Sequence, residues 1–124
     1  LSSEPRVILW LAGHNHQHKI EKVGSENARK GFWHIQTASN IDWPQQGRLV
    51  EILQDGEEIV IATSVFDHQS PLSLDEATAH LDSPISLAGV SRLLAANDWQ
   101  RRDGEFAIEH LAGLPGDRNR FLRL

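Results

Sequence analysis

The sequence contains no cysteine and no methionine. Without thiols it forms neither disulfides nor thiolate metal sites; cytosolic and exported proteins can both lack cysteine, so the compartment stays open. Long hydrophobic runs are missing too. The longest, Val7 to Ala12, falls far short of the ~20 residues that span a bilayer, and no basic-then-apolar segment resembles a signal peptide. Basic residues are outnumbered, 12 against 17 acidic, and the resulting charge of −5 argues against sequence-independent binding to nucleic acid or to an anionic membrane. No internal repeat or low-complexity segment occurs. A chain that opens at Leu1 with no methionine, and with an apolar strand a few residues on, leads us to expect the tail of a longer protein. At 124 residues, 40% apolar and 23% charged, it has the make-up of one globular unit with a modest core.

What is present is organised around Val7-Ile8-Leu9-Trp10-Leu11-Ala12-Gly13-His14-Asn15-His16-Gln17-His18. The apolar run reads as a strand covered on both faces, and in open α/β architectures ligands collect where polar groups follow such a strand. In extended backbone, residues two apart share a side, so His14, His16 and His18 are expected to point one way while Asn15 and Gln17 face the other. Convergent imidazoles suit a metal ion. Gly13, lacking a Cβ, allows a sharp turn and close approach of an ion to the backbone.

Gly13-His14-Asn15-His16 after an apolar strand resembles the last signature, Gly-His-x-His, of the calcineurin-like metallophosphoesterases. Gly31-Phe32-Trp33-His34-Ile35-Gln36-Thr37-Ala38-Ser39, Asp42-Trp43-Pro44-Gln45-Gln46 and Arg48-Leu49-Val50-Glu51-Ile52 are similar to a bacterial, mainly actinobacterial, subgroup. The resemblance covers roughly Val7 to His68, and the helical remainder more loosely. It implies the C-terminal part of a layered α/β/β/α sandwich, β-rich in its first half and followed by short helices. Residues 1–68 would be the last strands of the catalytic domain and 69–124 a helical extension on the same core. It further implies a centre of two divalent ions (Mn, Fe or Zn), with His14 binding one and His16 the other, and a phosphate-ester substrate. The family's earlier signatures, Asp-x-His, Gly-Asp and Gly-Asn-His, are absent. Gly116-Asp117-Arg118-Asn119 mimics one, but it follows the histidines with no apolar strand before it and reads as a surface turn. With two imidazoles and no bridging carboxylate, the 124 residues alone are expected to be catalytically inert.

Along the rest of the chain, Lys19 to Val23 and Phe32 to Ala38 read as a hairpin. Ser39 to Gly47 reads as a loop, open to two interpretations. Ser39, Asn40 and Asp42 sit at the rim of the metal site and position a phosphate or a water, or Asp42-Trp43-Pro44 is a rigid turn that packs its indole. Arg48 to Leu53 and Glu58 to Val65 form a second hairpin, turned by Asp55-Gly56 and expected to extend a largely buried sheet. From Ser70 the hydrophobic period changes from two to about 3.6. Ser73 with Glu76 predicts a capping box, and Ser83-Pro84 opens a helix to about Asn97 whose apolar face comprises Ile85, Leu87, Ala88, Val90, Leu93 and Leu94. Phe106 to Leu111 reads as a helical turn and Phe121 to Leu124 as a short strand.

Other histidines have plainer roles. His18 lies beyond the signature and is expected to face solvent or the substrate rim; His34 is expected in the core, and His68, His80 and His110 in structural positions. No serine has a legible base and acid beside it, so nucleophilic serine chemistry has no support. The competing reading is a non-catalytic accessory or interaction domain whose histidines bind no metal. If the strand at Val7 to Ala12 normally has neighbours outside this chain, its edge lies open and self-association of the fragment is expected.

Overall fold

The apolar run before the histidines and the segments read as hairpins form strands. The computed structural model of the chain describes residues 6–24, 31–71, 73–97 and 108–124. The lead-in at 1–5, most of the first hairpin's loop, Arg101-Arg102 and Phe106 lie outside these residues.

Strands β1 (Leu9–Ala12), β2 (Lys19–Val23) and β3 (Phe32–Gln36) make one sheet in the order β1-β3-β2. The expected first hairpin is present, with β2 antiparallel to β3, and β1 lies parallel on the far side of β3. Strands β4 (Gly47–Asp55), β5 (Glu58–Phe66) and β6 (Arg120–Arg123) form a second, antiparallel sheet in chain order. The β4–β5 turn falls at the expected Asp55-Gly56, where Gly56 takes φ +65°, a backbone region that glycine enters without steric cost.

The two sheets share a core, to which each contributes a directly opposed pair. Ile20 faces Ile35 across β2 and β3, and Ile61 faces Leu122 across β5 and β6. Leu9, Trp33, Val50 and Leu124 pack around these four. Burial of each such aliphatic side chain is worth about 1.5–3 kcal/mol, so this small cluster contributes substantially to the cohesion between sheets.

Two expectations about burial fail. The apolar run at Val7 to Ala12 becomes an edge strand rather than a covered one, with Trp10 45% and Leu11 58% exposed. The β4–β5 pair does bring Leu53 opposite Val60, but Leu49 and Leu53 on that face are open to solvent.

Helix α1 (Leu74–Thr78) starts as predicted, with the Ser73 hydroxyl accepting from the Glu76 amide at 3.3 Å. Helix α2 (Pro84–Ala96) also starts where expected, with Pro84 in its first turn. Its orientation departs from the periodicity reading: Ala88, Val90 and Leu93 of the expected face are partly buried, but Ile85, Leu87 and Leu94 are exposed. The buried positions are Ser86, Gly89 and Arg92, whereas Leu87 (51%) and Leu94 (68%) face outward. Two contacts set this rotation. Gly89 seats against α1, where an added Cβ would lie 3.1 Å from both the Ala77 Cβ and the Pro71 carbonyl, and the Arg92 guanidinium pairs with the Asp67 carboxylate just past β5. A buried charge left without that partner would cost more than the exposure of two leucines.

Helix α3 (Ile108–Leu111), a 3₁₀ turn (Pro115–Asp117) and β6 bring the C-terminus back across both sheets. The segment Gly116 to Asn119 is the surface turn expected, with Gly116 and Asn119 exposed, and its side chains also latch it to the rest of the fold. Asp117 Oδ1 accepts from the Ile20 amide at 2.9 Å and Oδ2 from the Leu114 amide at 3.1 Å. Arg118 donates to the Ala112 carbonyl at 2.6 Å and to Gln46 Oε1 at 3.2 Å. The chain is therefore mixed α/β, with two small sheets and few helices among the described residues.

Candidate functional site

Parallel pairing of β1 with β3 puts the carboxyl ends of both strands at the same level, with Ala12 opposite Gln36. The Thr37 amide donates to the Ala12 carbonyl at 3.0 Å, so the loop bearing the histidines and the loop starting at Thr37 leave the sheet side by side. This end of adjacent parallel strands is where α/β sheets gather ligands.

The histidines do not continue β1 in extended form. Backbone φ is +78° at His14 and +55° at His16, and the Asn15 amide turns back to the Gly13 carbonyl at 3.1 Å. Two non-glycine residues in the left-handed region are unusual, and such positions cluster at functional sites. The expected same-side alternation of three imidazoles is therefore replaced by three separate environments. His14 is exposed, His16 is partly open, and His18 is buried at 1% exposure.

His16 is held by a carboxylate. Its Nδ1 bonds Asp42 Oδ2, across 26 residues of sequence. Asp42 is itself fixed by its loop. The Ser39 hydroxyl accepts from the amides of Ile41 at 3.0 Å and Asp42 at 3.2 Å, and the Asp42 carbonyl accepts from the Gln45 amide at 2.8 Å across a cis Trp43–Pro44 peptide. Buried Gln45 extends its amide to the Ile41 carbonyl at 3.0 Å and to Ser91 on α2 at 2.9 Å. Gln46 donates to Asp67 at 2.9 Å. The two glutamines after Pro44 thus moor the loop to the rest of the fold. Ser39 uses its hydroxyl to shape the turn that presents Asp42, and Asn40 is exposed beside it.

His18 has the opposite role from the solvent-facing one expected of it. Its Nδ1 accepts from Arg48 Nη2 at 3.2 Å and from the Ala38 amide at 3.4 Å. Burial, then the positive charges of Arg48 and Arg118, lower its pKa from 6.5 to about 4, so the ring is neutral near pH 7. Arg48 also donates to Thr63 Oγ1 and to the Arg118 carbonyl, both at 2.8 Å, and so ties β4 to β5 and to the C-terminal latch. His34 is half-buried rather than in the core, and pairs across strands with Glu21 at 3.0 Å. The His34 hydrogen bond, followed by that of Lys19, lowers the Glu21 pKa.

Both rings at Gly13 to His16 keep solvent access, as a metal ligand needs, and His16 has a carboxylate on one nitrogen in the manner of ligating histidines. Among the described residues no group of three or more His, Asp or Glu side chains is disposed to hold an ion. The His16–Asp42 pairing was beyond sequence periodicity, although Asp42 stood out in the Asp-Trp-Pro-Gln-Gln segment. Comparison of the chain with family models, with curated proteins and with solved structures found no match.

Proposed function

We propose that the chain is the C-terminal portion of a calcineurin-like metallophosphoesterase that hydrolyses phosphate esters as an intact protein, within the α/β/β/α sandwich the resemblance implies. The observation that carries this reading is the junction of two loops at the carboxyl ends of β1 and β3, where the Gly-His-x-His segment meets Asp42. Two divalent ions (Mn, Fe or Zn), when bound, activate a water and offset charge on the phosphoryl oxygens. In this reading His14 holds one ion and His16 the other, Asp42 orients His16, and Ser39 and Asn40 stand on the substrate side of the loop. The remaining ligands come from the part of the protein that carries the earlier signatures. In this reading the 124 residues alone are inactive.

The test is metal content and aryl phosphate hydrolysis by the intact protein. About two ions per molecule are expected, with loss of both properties in the His14→Ala/His16→Ala variant. An intact double variant that keeps its metals and its rate refutes the reading. The competing reading is an accessory or interaction domain whose histidines bind no metal. That domain would carry no ions in the intact protein. Exposed Trp10 and Leu11 on edge strand β1 support a further element of the proposal, self-association of the isolated chain.

A further inference from the structure

We infer that Asp42 is a positioning residue that fixes His16 as the Nδ1–H tautomer, leaving the Nε2 lone pair as its free ligating position. The metal clause of this inference rests on the reading under Proposed function; the tautomer does not.

An ionised carboxylate can only accept, so a neutral His16 bonded to Asp42 through Nδ1 must carry its proton there. The Asp42 carboxylate is in turn held in place, because Ser39 takes the loop's amides, Gln45 closes the turn on the Asp42 carbonyl, and Gln45 is anchored to Ser91. His18, two residues further on, meets donors instead. Its Nδ1 accepts from the Arg48 guanidinium and the Ala38 amide, which places its proton on Nε2. One short segment therefore holds two imidazoles in opposite tautomers, sorted by the charge of the group facing Nδ1. Ligating histidines commonly give their other N–H to a carboxylate, which fixes the ring and raises its basicity. By this criterion His16 is built to bind an ion and His18 is not.

Long-range ¹H–¹⁵N correlation spectra of the ¹⁵N-labelled protein at pH 8, above the ordinary imidazole range, read both tautomers directly. His16 is expected to show a protonated Nδ1 and a bare Nε2, and His18 the reverse. Asp42→Ala should shift His16 towards the Nε2–H form while His18 keeps its pattern, which reports that the fold is intact. Asp42→Asn, whose amide oxygen still accepts, should retain the Nδ1–H form of His16. Zn²⁺ added to the wild-type protein should perturb His16 Nε2, with affinity falling about 10- to 100-fold in Asp42→Ala. An Nε2–H form of His16 in the wild type, or a tautomer unchanged in Asp42→Ala, overturns the inference. Tautomers as stated with His16 unmoved by Zn²⁺ uphold the positioning role and count against the metal reading alone.

Discussion

Acid should weaken this fold through His18, by an amount that follows from its surroundings. The ring is 1% exposed and receives two hydrogen bonds at Nδ1, one of them from a guanidinium, so protonation there forfeits both and sets a new cation beside Arg48 and Arg118. Folding thus depresses the pKa, from 6.5 to about 4. The unfolded chain takes up a proton below pH 6.5 that the folded chain refuses. Stability from this group is intact above pH 6.5, falls as the pH drops towards about 4, and changes no further below that. At about 1.4 kcal/mol per pH unit, that window amounts to about 3 kcal/mol, a large share of the stability of a small domain. Urea unfolding followed by tryptophan fluorescence at closely spaced pH values measures it. His18→Gln keeps an acceptor for Arg48 but cannot titrate. Whatever its packing penalty, its stability should lose about 3 kcal/mol less than the wild type between pH 6.5 and 4. Carboxylates that titrate in the same window cancel in this difference. Parallel loss in both proteins would refute the account of His18.

Gly113→Ala should cost about 1–3 kcal/mol in the same assay, because Gly113 sits at φ +74° and an added Cβ would lie 2.8 Å from the His18 carbonyl; unchanged stability would show that the latch yields there. Sedimentation velocity on the isolated chain should show concentration-dependent association, reduced by Leu11→Lys, since a charge on an open strand edge opposes pairing; a monodisperse wild-type monomer would remove that element of the proposal.

What the sequence made legible was local. The Asp55-Gly56 turn, the Ser73 cap and Pro84 in the first turn of α2 each depend on residues within four positions of one another, and each stands where periodicity and turn chemistry put it. What it hid depends on distant partners. The rotation of α2 is set by Arg92 meeting Asp67, which no hydrophobic period records. His18 is buried because Arg48 and the Ala38 amide, remote in sequence, supply donors to it. Alternation assumed extended backbone through the histidines, and the positive φ at His14 and His16, neither of them a glycine, broke that parity. Asp42 lies 26 residues from His16, and the parallel register of β1 and β3 brings the bases of their two loops together.

That register explains why the candidate site involves more of the chain than its histidines. Ladder bonds from Trp33 to Ile8 and from Thr37 to Ala12 hold the two loop bases side by side, which sets where the loops start but not where Asp42 ends up. Its final place depends on Gln45 reaching Ser91 on α2 and on Gln46 bridging Asp67 and Arg118. Asp67 is also the partner of Arg92, so the ion pair that orients α2 and the mooring of the Asp42 loop share one carboxylate. A change at Ser91 or Asp67, far in sequence from Gly13 to His16, should therefore move the Asp42 carboxylate and release His16. Through Ser91, helix α2 takes part in holding the loop that carries Asp42.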